Sequence, residues 1–174
     1  FNRSKIERES ISLGQVIAVS SAGMGVRFDL GPFKEPSTRV GRKFMKVRDG
    51  EEVVEVEKLD CKAKAPILAV ASQHGRVLLC KANEIGLLSG PGRGVIVLSI
   101  ASADRLLAAR ILQKSDDQLI VLKQDGTKIT ISSRKYQSVS RGGKGHTLFK
   151  RGILKGIQPL KIDLPAKPTT ENIK

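Results

Sequence analysis

Three copies of one short, β-rich unit run along this chain at intervals of 51 residues. Val16-Ile17-Ala18-Val19-Ser20-Ser21 aligns with Ile67-Leu68-Ala69-Val70-Ala71-Ser72, and Leu119-Ile120-Val121-Leu122-Lys123 follows 51 later. The same offset carries Gly41-Arg42-Lys43 onto Gly92-Arg93-Gly94 and then onto Gly143-Lys144-Gly145. It carries Gly75 onto Gly126, with Met24, between Gly23 and Gly25, in the first copy. A repeat of this length made of short apolar runs predicts a propeller-like array, because one blade cannot bury its own faces.

Within each copy the apolar runs are the length of strands. They are Gln15–Ser20, Val26–Leu30 and Val53–Val56 in the first copy, and Ile67–Ala71, Arg76–Cys80, Val95–Ile100 and Leu106–Leu112 in the second. The third has Leu119–Leu122, Thr127–Ile131, Thr147–Phe149 and Ile153–Ile157. Thr127-Lys128-Ile129-Thr130-Ile131 alternates with period 2, as a half-buried strand should. Gly23–Gly25, His74-Gly75 and Asp125-Gly126 supply hairpin turns where positive φ is needed. Residues 104–114 have helix-forming composition, but their register with Val53–Val56 argues for a strand. The reading is an all-β fold of about three four-stranded antiparallel blades, at 15–60, 61–114 and 115–157. Residues 1–14 would be a strand or linker to a neighbouring blade, and 158–174, rich in Pro, Lys, Thr and Asn, a disordered tail.

Charge narrows the partner. The chain has 174 residues, with 31 Lys+Arg against 17 Asp+Glu, a net +14. The excess grows along the chain, from +1 over residues 1–60 to +4 over 61–120 and +9 over 121–174. That gradient points to a polyanion engaged mostly by the C-terminal third. Cys61 and Cys80 lie 19 apart without C-x-x-C spacing, so two reduced thiols are expected rather than a disulfide. With no leader segment and no apolar run of about 20 residues, a cytosolic chain without membrane contact is expected.

Catalytic constellations are not visible. His74 and His146 have no companion acid or cysteine at metal-ligand spacing, and His74 reads as a turn residue. Tyr136, the single tyrosine, reads as strand-edge packing, and no segment matches the phosphate-cradling G-x-x-x-x-G-K-[ST]. The glycine-plus-cation turns offer different chemistry. Glycine lets the backbone approach a phosphate, and an adjacent Arg or Lys supplies charge and donors. One such turn per blade along a rim would give an arc of phosphate contacts suited to a bent duplex. Five Phe, one Tyr and no Trp leave few stacking platforms, which favours duplex DNA over single strands. The candidate contacts are Arg42, Lys43, Arg93, Arg141 and Lys144 on the turns, extended by Arg134, Lys135, Lys150 and Arg151 in the third copy. The other readings are a protein-interaction propeller whose basic face meets an acidic partner, and a hydrolase or transferase on a β-repeat scaffold, which lacks its acid/base pair.

These residues resemble the C-terminal domain of the A subunit of bacterial type IIA topoisomerases, gyrase and topoisomerase IV. The family's blade is similar to Ile67-Leu68-Ala69-Val70, Gly75-Arg76-Val77-Leu78-Leu79, Gly90-Pro91-Gly92-Arg93-Gly94-Val95 and Asp104-Arg105-Leu106-Leu107, with Asp49-Gly50-Glu51-Glu52 as the first copy's acidic turn. The resemblance covers roughly residues 15–157. It implies a β-pinwheel, a propeller-like disc with strands exchanged between adjacent blades, that binds and bends duplex DNA on a basic rim. Gyrases need a box of the form Q-[RK]-R-G-G-[RK]-G to wrap DNA. Here Arg141-Gly142-Gly143-Lys144-Gly145 follows Val139-Ser140, and it lies in the last copy, so the topoisomerase IV type is the better match. Thr147-Leu148-Phe149-Lys150-Arg151-Gly152 and Ile162-Asp163-Leu164-Pro165 resemble the end of such a polypeptide. The resemblance implies no catalytic residue and no cofactor in this chain; ATP and Mg belong to the whole enzyme. Implied partners are duplex DNA, the rest of the A subunit, and the ATPase B subunit, in the bacterial cytoplasm at the nucleoid. Family discs commonly carry five or six blades, against three recognisable here.

Overall fold

The computed structural model describes residues 14–37, 39–60 and 62–158. Cys61 and the two terminal segments read above as linker and tail lie outside them, apart from Gly14 and Gln158. Each copy contributes a hairpin and a third strand. In the first, β1 (Gln15–Ser20) pairs antiparallel with β2 (Met24–Asp29), and β3 (Val53–Lys58) pairs with the other edge of β1. In the second, β4 (Ile67–Ser72) takes β5 (Arg76–Lys81) on one edge and β8 (Leu106–Leu112) on the other. In the third, β9 (Leu119–Lys123) is flanked by β10 (Lys128–Ile131) and β12 (Leu154–Ile157). Residues 106–112 are a strand, as register rather than composition indicated.

Between copies, an arm crosses to the preceding sheet. The second arm carries β6 (Leu87–Leu88) and β7 (Val95–Ile96), and both pair with β2 of the first sheet. The third arm lays β11 (His146–Thr147) on β5, while Val139 N–H donates to the Leu79 carbonyl at 2.8 Å. Sequence copies and sheets are therefore offset by one arm. The expectation of uniformly antiparallel blades gives way at β6, which runs parallel to β2. The strands expected at 95–100 and 147–149 shrink to two residues, because the arm leaves the edge once its few ladder bonds are made.

The period also needs adjustment. Gly23, with φ +76°, is the turn equivalent of Gly75, with φ +81°; each donates its N–H to the carbonyl of the serine three residues back. The first hairpin therefore precedes the second by 52 residues, so Gln15, not Val16, matches Ile67, whereas the glycine loops keep 51. One residue has been gained or lost in the connection between them, where length is cheap.

Packing explains the sequence pattern. The middle sheet is buried on both faces, so β4 and β5 read as continuous apolar runs rather than alternating ones. Leu68, Val70, Leu78 and Cys80 pack with Ile17, Val19 and Leu98 toward the first sheet, and Ala69, Ala71, Val77 and Leu79 pack with Leu119, Val121 and Ile131 toward the third. Cys80 is a free thiol, and burial followed by the nearby Glu84 charge pushes its pKa up to about 12. The first arm folds back over the far face of its own sheet. There Phe44 stacks on Phe28 at 5.2 Å, Phe33 tilts against it at 5.4 Å, and Met45 is buried.

Candidate nucleic-acid interface

β8 contacts both β3 and β12 on one side of the array, and the exchanged arms lie on the opposite, outer edges of the sheets. There the three glycine-cation loops join into one ribbon. Lys46 N–H of the first arm donates to the Gly92 carbonyl of the second at 2.8 Å. Gly142 N–H of the third donates to the Val97 carbonyl at 2.7 Å, and Ser99 N–H returns a bond to the Gly143 carbonyl at 2.9 Å.

Glycine is required where an arm meets a strand. Gly94 and Gly145 have φ of +75° and +65°, and a β-carbon there would collide with the carbonyl oxygens of Gly25 and Val77. The glycines expected to admit a phosphate thus also admit the neighbouring strand, which leaves the cations as the part that strand exchange does not explain.

The cations have unequal surroundings. Lys43 and Lys144 stand exposed, and no ion pair among the described residues engages them. Arg42 is exposed and donates to the Pro32 carbonyl. Arg93 is half-buried, 3.8 Å from Glu51. Arg141 is turned inward. Its Nε donates to the Glu84 carbonyl at 3.0 Å, and its Nη1 to the Ile96 carbonyl at 3.2 Å. Lys150 and Arg151 are exposed just before β12, near the β4–β5 turn. Arg134 and Lys135 are exposed beyond the opposite end of β10, with Lys135 Nζ 5.6 Å from the Tyr136 ring. The structure therefore brings Arg42, Lys43, Arg93 and Lys144 onto one ribbon with Lys150 beside it, and Lys135 approaches the third arm through Tyr136, whose ring lies 6.1 Å from that of His146.

Two residues not selected from sequence join this edge, Arg76 and His74. Arg76 donates to Thr147 Oγ1 at 2.9 Å, and His74 Nδ1 lies 3.0 Å from Asp104 Oδ1. Asp104 also accepts from Ser72 Oγ at 2.6 Å, His74 N–H at 3.0 Å and Arg105 N–H at 2.8 Å. Desolvation opposes its ionisation, but these bonds outweigh it and hold its pKa below the ordinary value. The repeating turn pattern is the one sequence signal that marks His74. The acid that orients it is 30 residues away.

A family profile described as DNA gyrase C-terminal domain, beta-propeller, matches residues 14–60 and 66–113, more than half of the chain. The chain belongs to this family. The gyrase profile stops before the third copy, whose β9, β10 and β12 nonetheless repeat the sheet order of the first two. The DNA gyrase A subunit of Helicobacter pylori (strain ATCC 700392 / 26695) is 26% identical over 123 residues, which are 71% of this chain and 14% of that protein. Among solved structures, the C-terminal domain of DNA topoisomerase IV matches with a TM-score of 0.71 at 16% identity, over 83% of this chain and 46% of that one. The DNA gyrase A C-terminal domain gives 0.67 at 17% identity, over 84% and 48%. The E. coli ParC C-terminal domain gives 0.60 at 17%, over 84% and 62%. At these identities the structural likeness concerns the fold, the β-pinwheel of gyrase and topoisomerase IV C-terminal domains. The chain spans less than two thirds of each of these relatives.

Proposed function

We propose that this gyrase-family domain binds duplex DNA along its outer ribbon and bends it, presenting a segment to the cleavage core of a type IIA topoisomerase. The chain's own part is positioning. Strand passage, with its ATP and Mg, would be supplied by the B subunit together with the rest of the A subunit, in the bacterial cytoplasm at the nucleoid. The observation that carries this reading is the continuous ribbon of exchanged arms, on which Lys43, Arg93 and Lys144 follow one another on hydrogen-bonded loops. Successive cations along one edge favour contacts to the backbone of a duplex laid along it, which position DNA without reading its sequence. The incomplete wrapping box, with Val139-Ser140 ahead of Arg141, favours capture and bending over full wrapping.

A linking-number assay tests this. The chain is bound to relaxed closed-circular DNA, the complexes are relaxed by an unrelated topoisomerase, and the topoisomers are separated. Salt-sensitive binding with at most a small linking-number shift is expected, and a shift that grows with protein would place the domain with the wrapping type. Absence of binding would overturn the proposal. It would favour the protein-interaction reading, for which the recess of about 350 Å³ among Phe28, Phe33, Phe44 and Leu88, rimmed by Arg42 and Lys43, is the corresponding feature.

A further inference from the structure

The second and third arms each close a cleft over a hairpin turn, and the two clefts differ in chemistry. The cleft over the first hairpin, about 400 Å³, presents Ala22, Met24, Arg93, Ile96 and Ser99 from its turn and arm, with Arg48 and Glu51 also in its lining. In the cleft over the second, about 610 Å³, the equivalent positions hold His74, Arg76, Lys144, Thr147 and Lys150. At the turn and arm positions, Ala22, Met24, Ile96 and Ser99 of the first cleft are thus replaced in the second by His74, Arg76, Thr147 and Lys150, while a cation, Arg93 or Lys144, is common to both. Strand exchange does not require the cations.

Their neutralisation differs as well. In the first cleft Arg93 faces Glu51 at 3.8 Å. In the second, the acid Asp104 is occupied by Ser72 Oγ, two backbone N–H groups and His74 Nδ1, and its side chain is only 7% exposed. No ion pair among the described residues engages Arg76, Lys144 or Lys150. The positive charge of this cleft therefore has no counterpart within it beyond one buried carboxylate that is already committed.

We propose that this cleft is a proton-linked subsite for a DNA backbone phosphate, with His74 as its switch. The proposal rests on the DNA-binding reading above and adds a position and a condition to it. A carboxylate only accepts hydrogen bonds, so Asp104 fixes the proton of the neutral ring on Nδ1. Nε2 of that ring then carries a lone pair, which repels a phosphate oxygen. When the ring takes up a second proton, Nε2 becomes a charged donor beside Arg76, Lys144 and Lys150. Arg105, paired at 3.7 Å with Glu52, is the other charge on the turn that holds Asp104. Phosphate binding and protonation of His74 therefore favour each other, and DNA affinity rises as pH falls.

The test compares the full chain with its His74→Asn variant, in which Asn-Gly keeps a favourable turn pair. Duplex affinity is measured by fluorescence anisotropy between pH 8 and 5.5 at constant ionic strength, and again across a salt series at each end. His146 is present in both proteins, so its contribution cancels. Acidification is expected to strengthen wild-type binding by about tenfold more than variant binding, within the usual range of coupling between two sites. At the acid end the wild-type salt slope is expected to exceed the variant's by about 0.9. Identical pH profiles in two proteins that both bind duplex would overturn the subsite and leave the DNA reading standing. If neither protein binds duplex, the DNA reading fails. The subsite is then decided by titrating inorganic phosphate against the ¹⁵N-labelled His74 ring: a shift of Nε2 supports an anion site, and no shift overturns it.

Discussion

Arg141 and Glu84 fasten the third copy to the second: the Arg141 amide donates to Glu84 Oε2 at 3.0 Å, and its Nε to the Glu84 carbonyl at the same distance. This makes Arg141 a clamp between arms, although it belongs to the most basic stretch of the sequence. Arg141→Ala is expected to cost about 1–2 kcal/mol, because it leaves the Glu84 and Ile96 carbonyls short of a donor. Lys144→Ala, at an exposed site, should cost less than about 0.5 kcal/mol. Urea unfolding of the two variants separates them, and equal midpoints would contradict the clamp.

Two glycines with similar backbones make a graded test of strand exchange. Gly126 has φ +83° and open space where a β-carbon would go, whereas Gly145 has φ +65° and the Val77 carbonyl there. Gly126→Ala should cost only the left-handed backbone penalty, about 1–2 kcal/mol. Gly145→Ala should cost more and should expose the β5 edge. Thermal unfolding gives the ranking, and hydrogen exchange at Leu148, whose N–H donates to the Gly75 carbonyl at 2.8 Å, reads the edge. A Gly145 variant as stable and as protected as the Gly126 one would contradict the exchanged register.

Two carboxylates should give opposite pH signatures. Desolvation raises Glu57 above its ordinary value of 4.5, against the opposing Ile111 N–H bond. Its contribution favours the fold most below pH 4.5 and is lost as pH rises through the higher folded value. For Asp104, desolvation is outweighed by the Ser72, His74 and Arg105 bonds, so its pKa lies below 3.8. Its contribution is present above pH 3.8 and drains as pH falls through the lower folded value. Glu57→Gln should therefore abolish a loss toward neutral pH, and Asp104→Asn a loss on acidification. Urea midpoints from about pH 2 to 8 check both signs, and either variant paralleling wild type throughout would contradict its assignment.

Local features of the fold were legible in the sequence. Turn glycines at regular spacing and apolar runs of strand length located the hairpins and third strands of all three copies, and repeat register overruled the helical composition around Leu106–Leu112. Arms were harder to read, because β6, β7 and β11 are two-residue strands whose partners belong to another copy. A two-residue contact leaves no period to detect. At the interface, the cations on the loops were legible, but their freedom was not. Whether Arg141 faces solvent depends on Glu84, 57 residues back, and whether Arg93 is neutralised depends on Glu51. His74 read as a turn residue because its acid, Asp104, enters from the far side of the third arm's cleft, on the turn that leads into β8.

The salt dependence of duplex binding tests the central claim most directly. Affinity for a duplex of mixed sequence is measured across a salt series for the wild-type chain and for Lys43→Ala, Arg93→Ala and Lys144→Ala combined, one cation from each loop. If the exchanged arms form the DNA-binding edge, the slope of log affinity against log salt falls by about 2–3, near 0.9 per lost phosphate contact, and affinity drops for every sequence tried. An unchanged slope and affinity in a variant that folds like wild type would contradict it.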